Sequence, residues 1–259
     1  MSYKEYGFTE NAALKDGLDA ALDISIMMEY PDGGLADETI SKICNAITVT
    51  AFGEEYAGMS PQDAVNACAE KYIASYREIN LELAGSEAGA GASVLSWDKY
   101  TEGMFTGTYG KKMTGYKVTD YSYTGGAHGM SSETCLVFNM KTGDRVSLDD
   151  IFRDDSRDIL TSLLTRHAKD GKTGNDTAVK DGNGTPAVQK AGSDDAETDN
   201  AGTGHVADYL LVTEVEPTEN FTVDDEGVTF VYNPYEIAAY AAGTVRIMLP
   251  WDELEGLLK

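Results

Sequence analysis

The stretch from Tyr121 to Phe138, YSYTGGAHGMSSETCLVF, decides the fold because it places two adjacent glycines and a histidine between two strand-like runs. Tyrosines alternate with a polar residue before the glycines and an apolar run follows them, which predicts two strands joined by a sharp reversal. Gly125 and Gly126 can adopt positive φ without steric cost, so the backbone can bend or bulge there. The bend is expected to direct His128 out of the sheet.

Strand and helix patterns surround this hairpin. Residues 22–30 alternate apolar and polar side chains, which predicts a strand with one buried face. Asp37 begins a stretch with apolar residues at helical spacing, and Ser60 with Pro61 supplies the N-cap and first position of a second helix. The sequence therefore predicts an α+β fold of antiparallel sheets with helices packed on one face, arranged as two related halves.

The order of these patterns also predicts the domain organisation. Residues 1–20 are polar and unpatterned, which indicates an N-terminal tether, while 21–130 and 131–259 are expected to form the two α+β halves. Residues 170–204 contain no Leu, Ile, Met or aromatic residue. Such a segment buries too little apolar surface to offset its ordering entropy, so it is interpreted as a low-complexity insertion that folding does not need.

Charge excludes several classes of function. The chain has 44 acidic and 20 basic residues, a formal net charge of −24, which disfavours nucleic acid and anionic membranes and favours a basic partner. No apolar run approaches the roughly 18 residues needed to span a bilayer. The N-terminus MSYKEYGFTE has neither a basic nor an apolar signal region, so an export signal either has been removed or never existed.

Three motifs in the same order carry a family resemblance: GGAHG at 125–129, FNMKTGDRVSLDDIF at 138–152 and VYNPYEIAAYAAG at 231–243. Together they resemble a family of bacterial extracytoplasmic domains. That family includes the lysozyme-sensing domain of RsiV-type anti-sigma factors and the N-terminal region of some peptidoglycan deacetylases. The resemblance covers about residues 20–255 and includes neither a catalytic domain nor a transmembrane segment.

The resemblance implies a location and a role. It implies an extracytoplasmic protein of the periplasm or cell surface, exported and lipid-anchored. The expected function is a non-enzymatic cell-envelope binding or sensing module for a lysozyme-like or other basic protein, with peptidoglycan fragments as another expected ligand. The alternative is an accessory domain of a peptidoglycan- or glycan-modifying enzyme.

Two groups of residues are candidate binding sites, and neither is expected to be catalytic. Gly125, Gly126 and His128 form the first group. The second group contains two tyrosines, which are typical of recognition surfaces. They are equally consistent with a family-typical corner whose tyrosines fill the core. Its residues are Asn233, Pro234, Tyr235 and Tyr240.

No constellation of nucleophile, base and orienting group is visible in the sequence, so no enzymatic activity and no catalytic residue are predicted. Catalysis by His128 would need partners within reach, and the other histidines, His167 and His205, lie on a predicted helix and in the low-complexity segment. Its expected role is to fix the turn by hydrogen bonds. No metal or cofactor is expected, since Asp181 to Thr185 departs from the calcium-loop pattern.

The three cysteines include no C-x-x-C pair. Cys44 and Cys68 lie on the apolar faces of neighbouring predicted helices. They are interpreted either as small buried thiols or, in an exported protein, as partners in a disulfide.

Overall fold

A computed structural model of the chain describes residues 1–85, 94–171, 173–176 and 206–259. His205, the calcium-like stretch and most of the predicted insertion lie outside these residues. The described chain divides into two units. The first comprises Met1–Asp150 with Phe221–Glu226, and the second comprises Ile151–Asn220 with Gly227–Lys259.

The first unit contains a five-stranded sheet in the order β1-β2-β3-β4-β5. Neighbouring strands are antiparallel except for β2 and β3, which run parallel. A parallel pair needs a long crossover, and here two helices and a short 3₁₀-helix supply it. The elements are β1 (Ser2–Ala13), β2 (Ala21–Gly33), α1 (Asp37–Phe52), the 3₁₀-helix Glu54–Tyr56, α2 (Pro61–Ala84), β3 (Trp97–Tyr109), β4 (Met113–Tyr123) and β5 (Met130–Asn139).

The core of the first unit lies between the sheet and these two helices. The buried face of β2 alternates as the sequence predicts, and side chains from α1 and α2 pack in the same cluster. Ser60 is the N-cap of α2, with its Oγ accepting a hydrogen bond from the Asp63 N–H at 3.3 Å. Each fully buried Ile or Leu contributes about 1.5–3 kcal/mol relative to an exposed one. The central members are Leu22, Ile24, Ile26, Met28, Ile43, Ile47, Val65 and Tyr76.

Two expected boundaries differ from the structure. Residues 1–20 do not form a tether, because Ser2–Ala13 pairs along its length with β2 and buries Ala12. The break between the halves lies after Asp150 rather than after residue 130. The physical reason is that β5 extends the first sheet, with its register running from Met130 opposite Ser122 to Asn139 opposite Met113.

A short strand, β7 (Phe221–Val223), returns to the first unit and packs against β3, β4 and β5. The Thr222 hydroxyl lies 2.5 Å from the Thr106 hydroxyl. Gly115 on β4 allows this approach, because a Cβ there would lie 2.0 Å from Thr222 Oγ1.

The second unit contains the antiparallel strands β6 (Gly174–Asp176), β9 (Thr244–Pro250) and β8 (Gly227–Tyr232), in that spatial order. Because β6 pairs with β9, residues 174–176 of the predicted insertion belong to a sheet. Helix α4 (Arg157–Lys169) packs against β9 and buries Leu160 and Leu164. The remaining elements are α3 (Leu148–Ile151), α5 (Trp251–Leu254) and the 3₁₀-helices Val206–Tyr209, Tyr240–Ala242 and Glu255–Leu257.

The α+β class predicted from the sequence is confirmed by these two sheets and their helices. Within the described ranges, no helix is both long and apolar enough to cross a membrane. Cys44, Cys68 and Cys135 are free thiols, so Cys44 and Cys68 are not bridged in this structure. Burial raises the pKa of the Cys44 thiol to about 11, which keeps it protonated at neutral pH.

The sheet face opposite the helices carries carboxylates on neighbouring strands. Glu29 on β2 lies directly opposite Glu5 on β1, and its Oε2 accepts a hydrogen bond from the Phe105 N–H at 2.9 Å. Partial burial raises the pKa of Glu29, and the negative charges of Glu5 and Glu102 add to the rise, while the Phe105 N–H opposes it. The ionised carboxylate is therefore disfavoured in the folded state.

We expect Glu29→Gln to raise the free energy of unfolding at pH 7 by less than about 1 kcal/mol, a small gain because solvent screens this half-exposed group. A raised folded-state pKa penalises the ionised form, so the penalty is present above that pKa and fades as the pH falls toward the unfolded value of 4.5. Urea unfolding between pH 4 and pH 8 measures the difference.

Glu70→Gln, at an exposed position on α2, is the matched control and should shift stability by no more than about 0.5 kcal/mol. A Glu29→Gln protein less stable than wild type at pH 7 would contradict the account, as would a gain that is unchanged at pH 4.

Candidate functional site

The GGAHG turn connects β4 to β5 in the first unit. Gly125 has φ +82°, and a Cβ there would lie 2.3 Å from the Val94 carbonyl oxygen, so glycine is required for both conformation and space. Gly126 differs from the expectation, because its φ is not positive and a Cβ would meet no atom within 4 Å. Only the first glycine of the pair therefore determines the reversal.

Gly129 has a role in this turn that the sequence did not reveal. A Cβ at Gly129 would lie 2.3 Å from the Tyr121 hydroxyl and 2.4 Å from two ring carbons. The Tyr121 ring in turn stacks on Tyr100, with ring centroids 5.8 Å apart. The glycine that follows the histidine thus lets the chain pass close beside an aromatic pair on β3 and β4.

His128 is exposed on the turn, and its Nδ1 donates a hydrogen bond to the Gly129 carbonyl oxygen at 3.1 Å when that nitrogen carries the proton. This local bond is the type expected of a histidine that fixes a turn. His167 lies in the second unit on α4, where its Nε2 is 3.2 Å from Glu253 Oε2. Across the described part of the chain, no group of three or more His, Cys, Asp or Glu residues could hold a metal ion.

The second candidate lies in the second unit, where residues 233–240 connect β8 to a 3₁₀-helix; we call these residues the tyrosine corner. The Glu236 N–H donates to the Asn233 carbonyl oxygen at 3.0 Å, which closes a four-residue turn. Pro234 occupies the second position and Tyr235 the third. Proline at the second position and positive φ at the third are features of a type II β-turn.

Tyr235 has φ +73°, and it is the one non-glycine residue with positive φ in the described chain. Type II turns normally place Gly or Asn at this position, because a Cβ is strained there. Backbone strain of this kind costs of order 1–3 kcal/mol. The Tyr235 side chain does not gain burial in return, since it is 59% exposed.

Three hydrogen bonds hold the strained residue in place. The Asn233 N–H donates to Glu236 Oε2 at 2.8 Å, and the Tyr235 N–H donates to the Ala238 carbonyl oxygen at 3.0 Å. Together with the bond that closes the turn, they fix the backbone on both sides of Tyr235. The ring then stacks on Tyr240, with centroids 5.7 Å apart and planes inclined by 28°.

An adjacent segment extends this aromatic surface. The Leu211 N–H donates to the Ile237 carbonyl oxygen at 2.8 Å, and the Ala239 N–H donates to the Tyr209 carbonyl oxygen at 2.9 Å. Leu211 is 63% exposed. Leu211 and Tyr235 therefore project from paired segments of the same unit.

Other residues fill the core beneath the corner. Ile237 and Ala238 are buried, and so is Tyr232, whose hydroxyl donates to the Glu216 carbonyl oxygen at 2.7 Å. Burial raises the pKa of Tyr232 well above its ordinary value, so its hydroxyl stays protonated. Tyr232, which precedes the corner, thus fills the core, whereas Tyr235 of the corner is exposed and Tyr240 is half-buried.

The corner offers what a recognition surface needs: a rigid aromatic pair, a neighbouring leucine and a fixed backbone. The sequence identified Asn233, Pro234, Tyr235 and Tyr240 but missed Leu211. Leu211 lies in the apolar run YLLV at 209–212, and such a run predicts burial rather than exposure. The GGAHG turn belongs to the first unit and the corner to the second.

Comparison with known proteins supports the family resemblance at a coarse level. Residues 149–252 match the model of DUF3298, described as a protein of unknown function. A solved structure of a DUF3298 family member from Bacteroides fragilis is 26% identical, with a TM-score of 0.77, and the match covers 100% of this chain and 93% of that one. No curated protein matches the chain in sequence.

A DUF3298 family protein from Pseudomonas aeruginosa is 15% identical and has a TM-score of 0.59 over 100% of this chain and 94% of that one, which shows a shared fold. Over residues 149–252 the chain is therefore similar to DUF3298 proteins, and its fold resembles two solved members of that family. None of these matches bears on lysozyme sensing of the RsiV type.

If positive φ strains Tyr235, the stability of a variant at this position should depend on how well the new residue tolerates positive φ. We expect Tyr235→Gly to stay within about 1 kcal/mol of wild type, since relief of strain offsets the lost stacking and the entropy of glycine. Tyr235→Val should be at least about 1 kcal/mol less stable than Tyr235→Gly, because β-branched residues tolerate positive φ poorly. Chemical denaturation of the three proteins measures both differences. Equal stability of the Gly and Val variants would show that the site is unstrained.

Proposed function

We propose that this chain is a non-enzymatic binding or sensing module of the cell envelope, and that its tyrosine corner binds a basic protein of the lysozyme type. The observation that carries the proposal is the exposed Tyr235, held at positive φ and stacked on Tyr240. Strained residues persist where the surrounding structure over-determines them, and they concentrate at functional sites. An aromatic side chain that is already fixed loses little entropy on binding.

The charge around the corner supports a basic partner. Residues 206–245 contain no Lys, Arg or His, while Asp208, Glu214 and Glu236 in this stretch are exposed. The chain as a whole carries a formal charge of −24. Complementary charge speeds the encounter and excludes wrong partners, whereas the desolvated aromatic contacts determine how long the complex lasts.

The same charge weighs against peptidoglycan fragments as the main ligand. Their free carboxylates would approach Asp208, Glu214 and Glu236 with like charge, which costs binding free energy. Stacked tyrosines can bind sugar rings, so muropeptides are the appropriate competitor in a binding experiment. The envelope location and the sensing role rest on the family resemblance, with the DUF3298 match at residues 149–252 as its support.

The absence of catalysis is part of the proposal. The local bond from His128 to Gly129 favours a role for that histidine in the turn, and at the corner the Glu236 carboxylate accepts the Asn233 N–H, which favours a structural role there too. Muropeptide hydrolysis or deacetylation by the purified chain, lost in His128→Ala, would overturn this part.

Titration by calorimetry tests the partner. Hen-type lysozyme should bind at about 150 mM salt, where the Debye length is about 8 Å and long-range attraction is largely screened. Tyr235→Gly should weaken binding at least about 10-fold, as loss of a central aromatic contact does. Tyr3→Ala changes a tyrosine of similar exposure (53%) in the first unit and is the matched control, with no expected effect.

Cytochrome c, a cationic protein of unrelated shape, separates specific binding from charge. The proposal predicts that it binds only at low salt and that Tyr235→Gly does not change its affinity. If lysozyme and cytochrome c bind alike and both are released at about 150 mM salt, the attraction is non-specific and the proposal fails. Competition by muropeptides at the corner would instead assign the glycan as ligand.

A further inference from the structure

Strand β1 is the outer edge of the five-stranded sheet and pairs only with β2 among the described strands. It is 12 residues long, and most of its side chains are exposed or half-buried. An exposed edge of this length is a template for another strand, and proteins usually protect such edges. The outer edge of β1 is therefore available for pairing with a further strand.

The backbone shows which residues of β1 face outward. At the hairpin, the Leu14 N–H donates to the Ala20 carbonyl oxygen, so even-numbered residues direct their backbone groups toward β2. The carbonyl oxygens of Gly7 and Ala13 instead accept bonds from Gln62 Nε2 and Arg77 Nε of α2, each at 3.3 Å. Odd-numbered residues thus direct their N–H and C=O groups away from β2. The Gly7 and Ala13 carbonyl oxygens each already accept one side-chain bond there and keep a second lone pair for a further N–H.

We infer that β1 pairs antiparallel with β1 of a second copy of this chain, across a two-fold axis at Gly7. Odd-numbered residues then form the hydrogen-bonded pairs, as their outward groups require, with Gly7 opposite Gly7 and Glu5 opposite Thr9. A symmetric pair uses the same patch on both copies, so every contact occurs twice.

The side chains of β1 are complementary in this register. Lys4 lies opposite Glu10 of the second copy, and Tyr6 lies opposite Phe8. All four belong to the face of the strand that carries the helices, and they occupy the non-hydrogen-bonded pairs, in which side chains approach most closely. Lys4 and Glu10 are exposed, and Lys4 lies 4.9 Å from the ring centroid of Tyr6.

Neighbouring registers lose this complementarity. Moving the axis by one residue keeps the outward groups paired but places Lys4 opposite Phe8 or Ala12. In those registers Glu10 no longer lies opposite Lys4 of the second copy. Instead, Tyr6 lies opposite Tyr6 or Phe8 lies opposite Phe8 across the axis. The charge pattern along β1 therefore selects both a second copy as the occupant and Gly7 as the axis.

Salt distinguishes this pairing from the capture of a basic protein. Two chains with a formal charge of −24 each repel at long range, and salt screens that repulsion more than it weakens the close Lys4–Glu10 pairs. The pairing should therefore strengthen as salt rises to physiological levels, whereas binding of a cationic partner weakens. Because one strand per copy forms a small interface, a dissociation constant of order 10–100 μM is expected.

Sedimentation velocity of the full chain tests the inference at concentrations on the order of 10–300 μM. Wild type should pass from the monomer of 27.9 kDa toward twice that mass with rising concentration, and more readily at about 150 mM than at 20 mM salt. Lys4→Glu and Glu10→Lys should each weaken the dimer at least 10-fold, because each places like charges opposite one another twice. The double variant Lys4→Glu with Glu10→Lys exchanges the charges and should restore it.

Control variants distinguish an effect of the strand register from an effect of net charge and from misfolding. Lys15→Glu and Asp16→Lys make the same charge changes at exposed positions of the β1–β2 hairpin loop and should leave the dimer unchanged. Thr9→Pro removes an outward N–H while leaving the β1–β2 ladder, so it should abolish the dimer in a protein whose unfolding remains cooperative. A wild type that stays monomeric at 300 μM, a dimer unaffected by Thr9→Pro, or a charge exchange that fails to restore association would overturn the inference.

Discussion

Packing of α1 and α2 onto the alternating face of β2 is the interaction on which the rest of the first unit depends. Strand β2 has partners on both sides, antiparallel to β1 and parallel to β3. The parallel partner requires the chain to cross the sheet, and the two helices that make this crossover bury the face carrying Leu22, Ile24 and Ile26. With β3 fixed in this way, β4 and β5 follow as antiparallel neighbours, and the GGAHG turn is placed at one end of the sheet.

In the tyrosine corner, local interactions rather than hydrophobic burial determine the conformation. Hydrophobic burial determines the first unit, whereas hydrogen bonds and a proline determine a local conformation at Tyr235 that burial does not favour. The core beneath is filled by Tyr232 and Ile237, so it does not need the exposed ring. This strained and exposed side chain is the reason for proposing the corner as a binding surface.

Strong periodicity and capping made much of the fold predictable. The alternation in β2 and the Ser60-Pro61 start of α2 both lie where the sequence placed them. The sequence did not predict β1, because its helix-facing residues Tyr6 and Phe8 are separated from Ala12 by the charged Glu10, and its opposite face carries mainly polar or small residues. A strand that is stabilised mainly by pairing with one neighbour shows only a weak alternation of apolar and polar residues in its own sequence.

The sequence predicted which residues form the candidate site but not the conformation that they adopt. Pro234 signals a turn, but turn chemistry favours Gly or Asn where Tyr235 stands, so no local rule predicts positive φ there. The conformation follows from the bonds to Asn233, Glu236 and Ala238, which are properties of the folded corner. Likewise, two glycines at 125 and 126 suggested two special conformations, and only contact with Val94 shows that one of them is required.

Amide chemical shifts of the isotope-labelled chain, recorded by NMR at physiological salt while unlabelled hen-type lysozyme is added, test the central claim most directly. The account predicts that the largest changes fall on residues 209–211 and 233–240, with Tyr235 among the strongest, while the five-stranded sheet of the first unit changes little. Shifts spread evenly over acidic positions of both units, or concentrated away from the corner, would contradict the claim that the tyrosine corner is the binding surface.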